Sequence, residues 1–209
     1  MRRPIFIARQ SAHPRGLLGR VLVAIMERES AAENDRALEL LRLVPGDHHL
    51  EIGFGHGRTI ERAAALTRGG SIAGIDASST AVATACRKLA PLIREGRVEL
   101  RQGDSSRLPY PSATFDTALT VHTLYFWDDP QSHLCEIRRV LKPGGRLVLG
   151  FRREEDAALV SSFPGEVYRF YTVRQVCILL EQSGFSRVAI EIANEASKPI
   201  AYALAHRAT

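Results

Sequence analysis

Three carboxylates follow three short apolar stretches of the sequence, and the first of them leads into a run of alternating glycines. That run is residues 51–57, Glu-Ile-Gly-Phe-Gly-His-Gly, while Asp76 ends the second stretch and Asp104 follows the third. Glycine permits positive φ and lets the backbone approach a ligand where a Cβ atom would collide. Three alternating glycines are more than a strand-to-helix turn requires. We therefore interpret residues 53–57 as a ligand-binding loop.

The chemistry of the three acids narrows the ligand. The dinucleotide fingerprint is Gly-x-Gly-x-x-Gly, but counted from Gly53 the place of its third glycine is taken by Arg58. Glu51 disfavours a neighbouring pyrophosphate and is compatible with an ammonium group. Asp76 can accept both hydroxyl protons of a ribose, and Asp104 suits an exocyclic amine such as that of adenine. Together the acids predict a pocket for a cationic ligand that carries adenosine.

Two of the three acids also have a plain structural interpretation. Asp76 could cap the helix that begins near Thr80, although Ser78 and Ser79 serve that role as well. Asp104 in isolation fits an ordinary turn. Three acids around one glycine loop are less easily explained by coincidence, so the ligand pocket is favoured.

The loop after the fourth apolar stretch carries the candidates for group transfer. His122 is the candidate general base, because the unperturbed pKa of a histidine, about 6.5, suits proton abstraction near neutrality. A hydrogen-bonded histidine that only lines the pocket is the competing interpretation. Tyr125, Phe126 and Trp127 follow, and such rings attract cations or line an apolar acceptor pocket. Phe126 or Trp127 could instead pack the next helix onto the sheet.

Alternating strands and helices must position these loops. The apolar pattern predicts helices at 59–67, 80–93, 132–141 and 173–183, and strands at 50–52, 71–75, 98–102, 115–121, 146–151, 188–192 and 200–206. Strands that alternate with helices indicate a parallel, doubly wound sheet. The last two strands lack room for a crossover helix and should form an antiparallel hairpin. The predicted fold class is α/β, with a mostly parallel seven-stranded sheet and an antiparallel terminal strand.

The segments on either side of this pattern predict the walls of an acceptor site. Helical spacing at about 16–29 and 32–43 precedes Pro45, so we predict a helical lid or extension at 1–44 and the ligand-binding domain at 45–209. A helix lying on a membrane surface is the competing interpretation of the first segment. Residues 151–173, which include Tyr171, would form the opposite wall. This segment is short, which favours an acceptor of small to moderate size.

Composition limits the classes of partner. The chain has 209 residues, 45% hydrophobic and 24% charged, with a net charge of +5 and scattered arginines, so a nucleic-acid partner is not expected. Three dispersed cysteines predict free thiols, with neither a disulfide framework nor a metal site. No signal peptide or membrane-spanning run is evident, which predicts a cytoplasmic protein without stable membrane insertion.

The motifs resemble those of class I S-adenosylmethionine-dependent methyltransferases, and most closely the branch of ubiquinone and menaquinone C-methyltransferases. The resemblance runs from about Pro45 to His206, in the order of that family. Its Leu-Lys-Pro-Gly-Gly turn at 141–145 is one that dehydrogenases have no reason to share. His49 departs from the family, which usually has an aliphatic strand residue there. The matching segments are 50–57, 74–78, 103–104, 108–111, 114–117, 139–146 and 183–185.

The resemblance implies a Rossmann-like methyltransferase fold with S-adenosylmethionine as cofactor. It implies that the glycines pass beneath the methionine moiety, that Glu51 lies near its amino group, that Asp76 binds the ribose, and that Asp104 with Ser105 binds the adenine. The expected acceptor contacts are Tyr125, Trp127 and Tyr171. The expected cofactor contacts are Glu51, Gly53, Phe54, Gly55, Gly57, Asp76, Ala77, Ser78, Gly103, Asp104, Ser105 and Val121.

The expected activity is transfer of a methyl group to a small molecule, on carbon, oxygen or nitrogen. Two competing hypotheses are a methyltransferase that acts on RNA or protein, and a catalytically silent protein that binds the cofactor for regulation. We expect a monomer or a homodimer.

Overall fold

Across the residues that the computed structural model describes (4–12, 16, 19, 25, 28–195 and 198–209), seven strands form one sheet. The strands are β1 (His49–Ile52), β2 (Ile72–Asp76), β3 (Val98–Gln102), β4 (Phe115–Val121), β5 (Leu141–Phe151), β6 (Phe185–Glu195) and β7 (Lys198–Arg207). Their order is β3-β2-β1-β4-β5-β7-β6. Strands β1 to β5 pair in parallel, and β7 is antiparallel to both β5 and β6. The predicted fold class is confirmed.

Helices connect the strands close to the predicted positions. They are α1 (Ile5–Ala12), α2 (Ala31–Leu41), α3 (Arg58–Leu66), α4 (Ser79–Lys88), α5 (Ala90–Arg94), α6 (Pro130–Val140), α7 (Ala157–Val160) and α8 (Val173–Gln182), with a 3₁₀ turn at Leu124–Phe126. The single helix predicted at 80–93 is divided, because Pro91 in the first turn of α5 cannot continue a helix. The helix predicted at 16–29 lies mostly outside the described residues. No helix in the described part is long and apolar enough to cross a membrane.

Strand β5 begins five residues earlier than predicted. Leu141 pairs with Phe115, and the next pair joins Arg146 to Thr117, so the Lys-Pro-Gly-Gly segment between them bulges out of the ladder. Gly144 permits this bulge, since its φ is +77°. The apolar pattern alone did not reveal the isolated pair at Leu141.

Alternate residues of the central strands face two apolar cores. On β4, Ala118 packs into the core beneath α6 and α8, whereas Leu119 packs into the core beneath α2, α3 and α4. Helix α2 is part of the second core, because Ala37, Leu38 and Leu41 are buried there. The boundary predicted between residues 44 and 45 therefore separates elements that share one apolar core.

His49 is fully buried in β1. Its Nδ1 atom lies 2.9 Å from Thr117 Oγ1 on the neighbouring strand. Burial lowers the pKa of His49 to about 3, so its ring is neutral at physiological pH. The departure from the family's aliphatic residue is thus a neutral core histidine, paired across the sheet and remote from ligand chemistry.

Candidate functional site

A cavity of about 830 Å³ opens at the carboxyl edge of the parallel strands. It lies beside β1 and β4, where the strand order reverses and ligands of open α/β sheets bind. Its volume is within the range of small-molecule sites. The ends of β1 to β4 supply one side of it, and further lining residues come from α2, α3, α4, α6 and the segment after β5. The elements predicted to frame the site therefore meet at a single cavity.

The glycine loop lines this cavity and packs against the chain after β4. Gly53 has φ of +74°, and a Cβ atom there would lie 2.4 Å from Thr123 Cγ2. Gly55 also has positive φ. Gly57 has a different role, because it does not line the cavity and a Cβ atom there would lie 2.7 Å from Leu89 Cδ1. The first two glycines thus shape the ligand site, while the third lets α3 pack closely.

Asp76 is held in place by the backbone. Its Oδ2 accepts from the Gly55 N–H at 2.9 Å, and its Oδ1 accepts from the Ser78 N–H at 2.8 Å. The cap of α4 is Ser78, whose hydroxyl accepts from the Ala81 N–H at 3.2 Å. Ser78 therefore supports the site from outside the cavity lining. These two hydrogen bonds orient the Asp76 carboxylate across the glycine loop.

Glu51 brings a buried carboxyl group to the same end of the cavity. It is 4% exposed, and its Oε2 atom has no hydrogen-bond partner among the residues that the structure describes. Burial, with the nearby charge of Asp76 as the second cause, raises the pKa of Glu51 well above its usual range. An unpaired buried carboxyl is unfavourable unless a ligand completes it. An ammonium group is the complement that this acid fits.

The remainder of the cofactor end is formed by residues after β3 and from α6. Ser105 Oγ lies 2.7 Å from His133 Nδ1, and Asp104 stands beside them with its carboxylate exposed. The Trp127 ring stacks on His133 with centroids 4.6 Å apart and planes within 4°. Trp127 lines the cavity here, at the end expected to hold adenine. Its ring therefore packs α6 onto the sheet, which is the second of the two roles that the sequence suggested for it.

His122 also lines the cavity, in a network that joins three distant parts of the chain. Its Nε2 bonds Glu33 Oε2 of α2, and its Nδ1 lies 3.0 Å from the Tyr125 hydroxyl. Glu33, which is 1% exposed, also bonds the guanidinium of Arg152. The backbone N–H of Arg152 donates to the Tyr125 hydroxyl. Sequence reasoning found His122 and Tyr125 but missed Glu33 and Arg152. One feature of the sequence pointed to Arg152: it directly follows a predicted strand, at the carboxyl edge of the sheet.

The protonation of this network follows from its surroundings. Burial opposes ionisation of Glu33, but the hydrogen bond from His122 and the charge of Arg152 outweigh it and lower the pKa of Glu33. Burial raises the pKa of Tyr125, which keeps its hydroxyl protonated. With Glu33 ionised, His122 Nε2–H donates to it, and in the neutral ring Nδ1 is then the acceptor for the Tyr125 hydroxyl. A carboxylate thus fixes the tautomer of His122.

Five aromatic rings, the aromatic wall, line the cavity around this network. They come from the turn after β4 and from the segment after β5, and neighbouring rings in the wall have centroids 4.9–6.0 Å apart. Leu159 and Ser162 complete the same side. The segment 151–173 thus contributes a wall of the cavity, as predicted. The aromatic wall consists of Tyr125, Phe126, Phe163, Tyr168 and Phe170.

Tyr171 is separated from this wall, although it was an expected acceptor contact. Its side chain is buried in the core and does not line the cavity. Tyr171 forms a parallel bridge with Arg153, and its extended backbone directs neighbouring side chains to opposite sides. Phe170 therefore takes the cavity position that the sequence suggested for Tyr171. The other residues that were expected to contact the cofactor or the acceptor line the cavity, apart from Gly57 and Ser78.

Known proteins are similar to this chain in sequence and in fold. Residues 50–149 match a family described as a methyltransferase domain. The chain is 29% identical over 171 residues to the uncharacterized methyltransferase YdaC of Bacillus subtilis, covering 81% of this chain and 88% of that protein. It is 30% identical over 181 residues to the demethylmenaquinone methyltransferase of Tropheryma whipplei, covering 73% of this chain and 72% of that protein. It spans less than half the length of several further relatives.

A solved structure extends the likeness to the fold. The SAM-dependent methyltransferase from Aquifex aeolicus superposes with a TM-score of 0.73, over 90% of this chain and 98% of that one, at 22% identity. At this level of identity, the likeness shows that the two chains share a fold.

Proposed function

The chain belongs to the S-adenosylmethionine-dependent methyltransferases, and we propose that it transfers a methyl group to a small organic acceptor. The observation that carries the proposal is the shape of the cavity, which joins the Glu51 and Asp76 end to the aromatic wall in one space of about 830 Å³. The cofactor brings an electrophilic methyl group and its own leaving group. The protein's main task is then to hold the acceptor aligned, which can contribute roughly 7–11 kcal/mol.

The charges of the cavity support a neutral or cationic acceptor and disfavour RNA. Among the described residues, the lining includes two guanidiniums, and each is bonded to a carboxylate: Arg58 to Asp35 at 2.7 Å, and Arg152 to Glu33. Phosphate recognition needs cations that such pairing does not offer. The lining acids are Glu29, Glu33, Glu51, Asp76, Asp104, Asp128 and Asp129.

A protein substrate and a catalytically silent role both have less support than a small acceptor. The demethylmenaquinone methyltransferase relative is named for a small-molecule substrate, which agrees with a small acceptor here. A catalytically silent protein would not need the buried Glu33–His122–Arg152 network that lines the cavity. A cytoplasmic location and a monomeric or homodimeric state stay predictions.

Thermal melting with and without ligands tests the cofactor site. We expect S-adenosylmethionine and S-adenosylhomocysteine at about a hundredfold over their dissociation constants to add about 2.7 kcal/mol of stability, a shift of roughly 5–10 °C. NADH should give no shift. Asp76→Ala should abolish the shift, because it removes the carboxylate that orients the glycine loop. Asp116→Ala, at the opposite edge of the sheet, should retain it. A shift with NADH alone would contradict the assignment.

Cofactor binding should also depend on pH through Glu51. The raised pKa of Glu51 means that it binds a proton in the free protein, whereas an ammonium neighbour favours its ionised form. Binding therefore releases a proton, so affinity for S-adenosylhomocysteine should rise with pH until the free protein's Glu51 is ionised. Isothermal titration at several pH values in buffers of different ionisation enthalpy measures the release. Glu51→Gln should remove it, and 5′-methylthioadenosine, which lacks the amino group, should not show it. Equal proton release by wild type and Glu51→Gln would refute the role of Glu51.

A further inference from the structure

The hydrogen bonds at His122 leave neither ring nitrogen open to a direct contact with an acceptor. Nε2–H is committed to Glu33, and Nδ1 accepts from the Tyr125 hydroxyl at 3.0 Å. The Tyr125 oxygen also accepts from the Arg152 N–H, which leaves one of its two lone pairs. Tyr125 lines the cavity and belongs to the aromatic wall. A proton from the cavity can therefore reach His122 through Tyr125.

The surroundings of this proton path select the acceptor. The aromatic wall offers ring faces from two segments, which suits a flat, apolar molecule. The acids of the cavity and the pairing of both lining guanidiniums disfavour a carboxylate or a phosphate. An uncharged aromatic molecule satisfies both conditions.

A path for a proton is useful only to some nucleophiles. A neutral amine already presents its lone pair and can lose its proton after transfer. A hydroxyl group is a weak nucleophile until its proton leaves, so it gains most from a base positioned before the transfer. The combination of a buried base and an aromatic wall thus favours a hydroxyl group on an aromatic ring.

Building on the proposed methyl transfer, we propose that the acceptor is an uncharged aromatic molecule with a hydroxyl group, whose proton passes through Tyr125 to His122 held by Glu33. The acceptor O–H bond breaks as its proton moves to the Tyr125 oxygen, and the Tyr125 proton moves to His122 Nδ1. The oxygen electron pair forms the bond to the methyl carbon. The electron pair of the breaking carbon–sulfur bond stays on sulfur, which becomes a neutral thioether.

Glu33 is a positioning residue in this scheme. It lies in α2, fixes the tautomer that leaves Nδ1 as the proton acceptor, and balances the charge that His122 gains. Among the described residues, the groups bonded to His122 and Glu33 include Tyr125, the Arg152 guanidinium and the Tyr202 hydroxyl, which donates to the Glu33 backbone carbonyl at 3.0 Å. The hydrogen bond from His122 and the charge of Arg152 lower the pKa of Glu33, so this carboxylate stays ionised and His122 is the group that takes the proton.

A matched panel of acceptors tests the acceptor class. The probes share one ring system and differ in the nucleophile: 2-naphthol, 2-naphthylamine, 2-naphthoic acid and 2-naphthyl phosphate. Transfer of radiolabelled methyl from S-adenosylmethionine should be at least tenfold faster to 2-naphthol than to the other three probes. Faster transfer to any of those three, or no transfer to 2-naphthol by protein that binds S-adenosylhomocysteine, would overturn the proposal. Failure to bind S-adenosylhomocysteine would instead contradict the methyltransferase function.

Two variants test the proton path with 2-naphthol as substrate. Tyr125→Phe should lower kcat about 100-fold, because it breaks the path, while the KM for 2-naphthol stays within threefold. If His122 acts directly, this change frees Nδ1 and kcat is maintained, which would overturn the path through Tyr125. Glu33→Gln should lower kcat by a similar factor with little change in KM, and Glu39→Gln on the exposed face of α2 is its matched control. A rise in KM with unchanged kcat would assign Glu33 a purely structural role.

Discussion

Replacing Glu33 with Gln is expected to lower the free energy of unfolding by about 3–5 kcal/mol, the usual effect of removing one partner from a buried ion pair. The side chains of Glu33 and Arg152 are 1% and 10% exposed. The amide leaves the Arg152 guanidinium without its counter-ion in a site that water hardly reaches. Urea denaturation at pH 7, with the variant's m-value checked against that of wild type, measures the loss.

The pH dependence of this difference has a definite sign. The pKa of Glu33 is lowered in the folded protein from an ordinary value of 4.5. Its contribution to stability is therefore complete above about pH 4.5 and is lost as the pH falls through the lowered value. The difference in the free energy of unfolding between wild type and Glu33→Gln should therefore become smaller in that acid range.

The control for this prediction lies in the same helix. Glu39 pairs with Arg36 at 2.9 Å, but its side chain is 65% exposed. Exposed pairs contribute little, so Glu39→Gln should change stability by less than about 1 kcal/mol. If Glu33→Gln falls within that same limit, the network does not secure α2 to the sheet.

The sequence predicted that Glu51, Asp76 and Asp104 line one cavity because local rules determine their positions. Each strand of the parallel sheet ends at the same edge, so Glu51, Asp76 and Asp104 could be placed together from strand positions alone. Gly57 was assigned to the cofactor because its spacing continues that of Gly53. Its actual contact, Leu89, lies across a helix interface that spacing does not reveal.

The acceptor end was harder to predict because its contacts are long-range. Glu33 lies 89 residues before His122 and 119 before Arg152, and in the helical pattern it reads as an ordinary polar position. Its burial follows only from the way α2 packs on the sheet. Whether Phe170 or Tyr171 faces the cavity depends on the direction of an extended segment. That direction is set by a single bridge between Tyr171 and Arg153. A shift of one residue there exchanges a core contact for a cavity contact.

The position of Glu33 connects the predicted lid to the proposed chemistry. Helix α2 contributes both a buried face, through Ala37, Leu38 and Leu41, and the acid that holds His122. A loss of α2 packing would therefore disturb the core and the tautomer of His122 together. This connection explains why a segment outside the matched family region is needed for the proposed base to be held in place.

Replacing His122 with Asn is expected to reduce kcat for methylation of 2-naphthol by about 10²–10⁴-fold, the range attributed to a positioned base. Asn suits the position because His122 has φ of +61°, a conformation that Asn tolerates better than most residues. The affinity for S-adenosylhomocysteine, measured by titration calorimetry, should stay within threefold. The ring nitrogens of His122 bond Glu33 and Tyr125, neither of which is an expected cofactor contact.

His133→Asn should have the reverse effect and serves as the control. His133 holds the Ser105 hydroxyl and supports the Trp127 ring at the cofactor end, so its loss should weaken S-adenosylhomocysteine binding about tenfold, or about 1.4 kcal/mol. At saturating cofactor, kcat should remain close to that of wild type. Opposite effects of the two variants would separate holding the cofactor from moving the proton. A His122→Asn protein that keeps kcat within threefold would show that His122 only lines the cavity, and the base would then have to be sought elsewhere along the aromatic wall.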